Sequence, residues 1–182
     1  MASAVFRPIG EKELYRGSLI SVARGTFAGP DGSPFERDVV HHPGAVSAVP
    51  LVEPSNEVIM VRQYRAAVDR ELLEIPAGKR DVAGEAPEVT AHRELIEEIG
   101  MRAGRLERLG EFFNSPGFSD EYSFVYLALD LEATETSLQG VEEQHMTIER
   151  IPFDEVPALI RGGEIVDGKS IIGLMLAWHA RR

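Results

Sequence analysis

Cysteine is absent from the 182 residues, which excludes disulfides, thiolate metal sites and cysteine nucleophiles and permits a reducing compartment. Long apolar runs are missing as well. The most apolar stretch, residues 171–178 (IIGLMLAW), is far short of the ~20 residues that a membrane-crossing helix needs. Residues 1–17, MASAVFRPIGEKELYRG, contain no apolar core of a signal peptide. Positive charge is scarce: 19 Lys plus Arg face 30 Asp plus Glu, for a formal net charge of −11. So acidic a chain repels polyanions and anionic bilayers, so nucleic acid and membrane are expected not to be partners. No internal repeat and no low-complexity segment occurs. The expectation from these absences is a soluble, cytoplasmic protein.

What is present is an ordinary globular composition, 43% hydrophobic and 27% charged, enough for one domain with a small N-terminal extension. Residues 15–27 (YRGSLISVARGTF) and 36–42 (ERDVVHH) read as strands separated by the turn-rich AGPDGSP. Two apolar runs, 45–52 and 58–64, flank the polar EPSNE in the manner of a β-hairpin, and 70–75 (RELLEI) adds a short strand. Residues 76–86 read as loop. Pro87 to Ile99 then reads as a helix, with Pro87 in its first turn and Gly100 placed to end it. Residues 106–113 and 122–130 read as strands around an SPGFSD loop, and a polar stretch, 131–144, leads to a strand at 146–151. Asp154 is expected to cap a short helix through Ile160, and 170–181 to form a last helix. Many strands with a few interspersed helices give the α+β class with a mixed sheet.

The informative segment is 84–101, GEAPEVTAHRELIEEIGM. With Glu94 set at zero and about 100° per residue, Glu98 falls near +40° and Glu97 near −60°, one narrow carboxylate stripe. Ala91, Leu95, His92, Ile99, Ile96 and Val89 span about +60° to +220°, an apolar arc expected to face a core. Arg93 stands one turn before Glu97 and can pair with it. Oxygen-rich clusters of this kind suit hard cations such as Mg²⁺ or Mn²⁺. A solvated acidic helix face would carry the same spacing.

Glu85, seven residues, then Arg93-Glu94-Leu95-Ile96-Glu97-Glu98-Ile99-Gly100-Met101 resembles the Nudix box, G-x5-E-x7-R-E-U-x-E-E-x-G-U, with U apolar. Every defined position from Glu85 onward fits. Upstream, six residues rather than five separate Gly78 from Glu85, a departure that falls in a loop. The resemblance implies an α/β/α sandwich with a mixed β-sheet over residues 43–182, and an N-terminal antiparallel β extension over 1–42. It also implies hydrolysis of a nucleoside diphosphate linked to another group. Glu94, Glu98 and the main-chain carbonyl of Ala77 would bind metal, Mg²⁺ or Mn²⁺, as two or more ions per site. Glu97 would share in the catalytic task, and Glu85 would orient Arg93.

Other segments resemble the ADP-ribose pyrophosphatase subfamily. Pro116 and Gly117, in SPGFSDE, stand where that subfamily carries its marker proline, with Glu121 as a contact for the terminal ribose or a metal-bound water. Glu142 and Glu143 lie in an acidic loop that would supply the general base, Glu143 slightly favoured. Arg65 is expected at a phosphate and Arg37 at the nucleotide, since guanidinium forks suit phosphate oxygens. Residues 1–42 resemble the sheet with which subfamily members form an exchanged homodimer. The expected reaction is Mg²⁺-dependent cleavage of ADP-ribose to AMP and ribose 5-phosphate. The alternatives are another nucleoside diphosphate sugar, such as GDP-mannose or ADP-glucose, and a non-catalytic nucleotide sensor.

Overall fold

The structure, a computed structural model, describes residues 5–135 and 144–181. The chain divides into two compact units, Met1–Gly44 with Phe113–Tyr122, and Ala45–Phe112 with Ser123–Arg182.

The first unit is built on three antiparallel strands, β1 (Arg7–Arg16), β2 (Ser21–Ala28) and β3 (Pro34–His41), in the order β1-β2-β3. This is the antiparallel N-terminal sheet that the sequence led us to expect. Two features differ. Residues 15–27 are not one strand, because the chain reverses between Gly17 and Ile20, where the Gly17 N–H donates to the Ile20 carbonyl at 2.8 Å. β1 itself was not legible: all ten of its residues are exposed, so it lacks the alternation that a half-buried strand writes into a sequence. The segment 113–122 joins this unit through backbone bonds. The Val40 N–H donates to the Phe118 carbonyl at 2.7 Å, and the Asp120 N–H to the Val40 carbonyl at 3.1 Å.

The second unit is an α/β/α sandwich around a seven-stranded mixed sheet. Its main path runs β10 (Thr147–Pro152), β5 (Glu57–Arg65), β4 (Ala45–Val52), β9 (Tyr122–Ala133), β8 (Met101–Phe113). β6 (Arg70–Glu74) pairs with β5, and β7 (Ala77–Lys79) with β4. β4 and β9 run parallel, while the β4–β5, β5–β6 and β5–β10 pairs are antiparallel. Strand alternation sorts the core onto two faces. Val49, Leu51, Val58 and Met60 pack with Val156 and Leu174, from helices α2 (Val156–Gly162) and α3 (Gly168–Ala180). Ala48, Ile59 and Val61 pack on the other face with Leu95 and Ile99 of helix α1 (Pro87–Ile99). Burial of side chains such as Leu95 contributes about 1.5–3 kcal/mol each. A like-charge pair one turn apart, such as Glu94 and Glu98, costs only about 0.2–0.5 kcal/mol. The helix therefore tolerates its carboxylates.

α1 has the bounds expected of it. Pro87 opens it, and Gly100 at φ 61° ends it, its N–H bonded to the Ile96 and Leu95 carbonyls. Its buried arc, however, is shifted from the expected one. Thr90, Ala91, Leu95, Glu98 and Ile99 are buried, and Val89 is exposed. The cover over Glu98 comes from β7, which lies in residues 76–86 where the sequence predicts loop. A three-residue strand is too short to show periodicity, and it forms because residues 77–79 find partners at 45–47 of β4. Near the C-terminus Asp154 does not cap a helix. Phe153–Glu155 form a 3-10 turn, and α2 starts at Val156 without a side-chain cap. Buried Phe153 anchors that turn, 5.3 Å from the Trp178 ring. α3 is capped by Asp167, which accepts from the Ser170 N–H at 2.9 Å. No helix among the described residues is long and apolar enough to cross a membrane.

Candidate active site

α1 carries the charged stripe and β7 supplies the backbone beside it. Glu98 is 4% exposed, and its Oε2 accepts from the Ala77 N–H at 3.0 Å. Glu94 lies against Gly78, where an added Cβ would meet the Glu94 carboxyl atoms at 1.8–2.3 Å. Only glycine leaves room for that carboxylate where it stands. Arg93 Nη1 stands 2.8 Å from Glu94 Oε1 and donates to Glu97 Oε2 at 3.0 Å. Its Nη2 lies 3.5 Å from Glu85 and 3.9 Å from Asp81. Burial alone would lower the Arg93 pKa. The negative charges of Glu94, Glu97 and Glu85 outweigh burial and leave it raised. Glu85 in turn accepts from the buried Thr90 hydroxyl at 2.7 Å. Glu85, Arg93, Glu94, Glu97, Glu98 and Ala77 are thus gathered in one place.

A second cluster flanks them. Arg65 makes a bidentate pair with fully buried Glu74, Nε to Oε1 at 2.8 Å and Nη2 to Oε2 at 2.6 Å. Lys169 also donates to Glu74, and to Asp167 at 2.9 Å. The Ser170 hydroxyl donates to Asp167 and accepts from the Ile75 N–H. The sequence points to Arg65 but not to Glu74, Lys169 or Asp167. Glu74 sits in RELLEIPAG, one position from two buried apolar residues. A carboxylate at such a place in a strand signals a buried pair, but its partner 95 residues later is not legible.

The remaining candidates belong to the first unit. Arg37 Nη1 donates to the Glu36 carbonyl at 2.7 Å, and its guanidinium lies 5.0 Å from the Phe35 ring centre. Pro116 and Gly117 sit in an exposed turn closed by Phe118 and Ser119 N–H groups on the Ser115 carbonyl. Glu121 is 3.9 Å from His42 Nδ1. An unforeseen link stands beside that turn. His41 Nδ1 is 2.6 Å from Asp120 Oδ2, and His41 Nε2 is 3.0 Å from both Glu11 carboxylate oxygens. Glu142 and Glu143 lie outside the described residues.

Residues 41–171 match the NUDIX domain. The chain belongs to the Nudix family. Among curated relatives it is 40% identical over 180 residues to the ADP-ribose pyrophosphatase of Mycobacterium tuberculosis, covering 99% of this chain and 86% of that one. It is 35% identical over 170 residues to the ADP-ribose pyrophosphatase of Bacillus subtilis, covering 93% and 91%. A crystal structure of an ADP compounds hydrolase superposes with a TM-score of 0.82 at 22% identity, covering 96% of this chain and 92% of that one, and shares the fold.

Nudix ADP-ribose pyrophosphatases depend in general on divalent metal ions. The donors of the Nudix box here fit such an ion. They are oxygen only, with three carboxylates within five residues and a backbone notch at Gly78 that a Cβ would fill. Among the described residues no three acidic or imidazole side chains converge as a ready cage. Arg93 engages Glu94 and Glu97 while the Ala77 N–H engages Glu98.

Proposed function

We propose that this protein hydrolyses the pyrophosphate bond of ADP-ribose, with Mg²⁺ or Mn²⁺, to AMP and ribose 5-phosphate. The observation that carries the reading is a Nudix-box helix with Glu94 against Gly78, Glu98 against Ala77, and Arg93 joining Glu94 to Glu97. The full-length similarity to two ADP-ribose pyrophosphatases supports the choice of substrate. Glu94, Glu98 and the Ala77 carbonyl would hold the metal, as two or more ions, with Glu97 beside them. A bound divalent ion would neutralise phosphate charge and lower the pKa of an attached water.

The chain's own contribution is orientation and charge. Glu85 and Thr90 hold Arg93, and Arg93 holds the carboxylates on their stripe. Glu74 fixes the plane of the Arg65 guanidinium, which would meet a phosphate oxygen. Glu143 or Glu142 would take the proton of the attacking water, whose oxygen forms the new P–O bond as the bridging P–O bond breaks. Arg37, Pro116, Gly117 and Glu121 are retained as substrate contacts on the resemblance. A cytoplasmic homodimer, built through the N-terminal sheet, completes the reading.

A substrate panel tests it. With Mg²⁺, ADP-ribose should release AMP faster than GDP-mannose releases GMP or ADP-glucose releases AMP, and EDTA should abolish the release. Failure to turn over ADP-ribose sinks the substrate assignment.

A further inference from the structure

Gln63, on β5, is 5% exposed, and its side-chain Nε2 has no hydrogen-bond partner among the described residues. A buried amide donor without an acceptor lowers stability, and native folds keep few of them. Its position is not incidental. Ile59 and Val61 face the side of the sheet that α1 covers, packed with Leu95 and Ile99, and Gln63 follows two residues later on the same face. The β5–β6 register pairs Val61 with Glu74 and Gln63 with Leu72, so Glu74, Gln63 and Arg65 share that face. Arg65 reaches back along it to Glu74 and feels the charge of Glu98. Gln63 is therefore a neutral donor on the same sheet face as the Arg65–Glu74 pair.

We propose that Gln63 is a substrate-binding residue whose amide donates to a non-bridging phosphate oxygen; this rests on reading the α1 face as the pyrophosphate site. Its chemistry suits that place. Two guanidinium nitrogens of Arg65 and the Lys169 ammonium are engaged with Glu74, whereas the Gln63 amide has a donor to give. Being uncharged, it does not compete with metal for Glu94 or Glu98. In a buried setting its bond to an anionic oxygen is strong.

Gln63→Met removes the donor and keeps the volume. Its unfolding temperature without ligand should equal or exceed that of the wild type, because the unpaired group is gone. Its kcat/KM for ADP-ribose should fall about 10- to 100-fold. Gln63→Glu, which sets a carboxylate against the phosphate, should lose more. Inorganic pyrophosphate with Mg²⁺, titrated calorimetrically, probes the same contact without requiring turnover of ADP-ribose: Gln63→Met should bind it about tenfold more weakly. Equal pyrophosphate affinity, wild-type kcat/KM, or a Gln63→Met protein that melts several degrees lower with activity falling in parallel would overturn the proposal. Normal pyrophosphate discrimination with no turnover of ADP-ribose would instead fault the substrate assignment alone.

Discussion

Glu98 joins two demands that pull apart, burial and charge. It is 4% exposed and holds the Ala77 N–H at 3.0 Å. Glu98→Gln keeps an oxygen able to accept that bond and removes only the charge. We expect kcat to drop by at least about 100-fold with an unfolding temperature within a few degrees of the wild type. Unchanged turnover would refute the metal role of Glu98. Gly78 makes a steric counterpart. A methyl group there would collide with the Glu94 carboxyl at 1.8 Å, so Gly78→Ala must displace either β7 or Glu94. Because the side chain is the softer of the two, the expected outcome is a loss of activity of about 100-fold with a smaller change in stability. Denaturant midpoints measured beside kcat would separate the two effects.

Elements are tied together by polar contacts that the hydrophobic pattern does not encode. His41 at the end of β3 bridges Glu11 of β1 and Asp120 of the 113–122 segment, with a carboxylate at each ring nitrogen. Both nitrogens can donate only in the imidazolium form. The hydrogen bond to Asp120, then that to Glu11, raises the His41 pKa above its ordinary 6.5 against a small opposing effect of burial. For Asp120, burial pushes upward, but the bonds from His41 and the His42 N–H leave it below its ordinary 3.8. A group whose folded pKa is raised stabilises fully below its unfolded value and stops doing so as pH rises through the folded one. The stability advantage of wild type over His41→Asn, measured in urea, should therefore be full below about pH 6.5 and shrink as pH climbs above it. An advantage independent of pH would show that the link does not depend on the imidazolium.

At the scale of the whole molecule the charge of −11 bears on what can bind. Five acidic residues, Glu85, Glu88, Glu94, Glu97 and Glu98, fall within one box and its helix. Polyanions remain poor partners for such a surface, whereas a small pyrophosphate can approach together with its metal. β1 places Ile9, Leu14 and Tyr15 in the open, and Phe6 just before it is exposed too. Exposed apolar side chains along one strand favour a second chain. Sedimentation equilibrium should give about twice the monomer mass at micromolar concentration, and Leu14→Glu should shift it toward the monomer. A monomeric wild type would sink the homodimer.

Much of the molecule is local and so was readable in advance. α1 begins at Pro87 and ends at Gly100 because proline and glycine act on their own backbone. The carboxylate stripe follows from 3.6 residues per turn, and the β4–β5 hairpin from two apolar runs around EPSNE. Neither propensity nor spacing could reveal which side of the stripe is buried. That was decided by β7, three residues that become a strand only against β4 and then cover Glu94 and Glu98. The pairing of Glu74 with Lys169 and the burial of Gln63 are likewise tertiary. The candidate residues for the chemistry follow from the sequence, because a carboxylate's chemistry is its own. Their partners and burial waited on the fold, because those depend on what distant segments bring alongside.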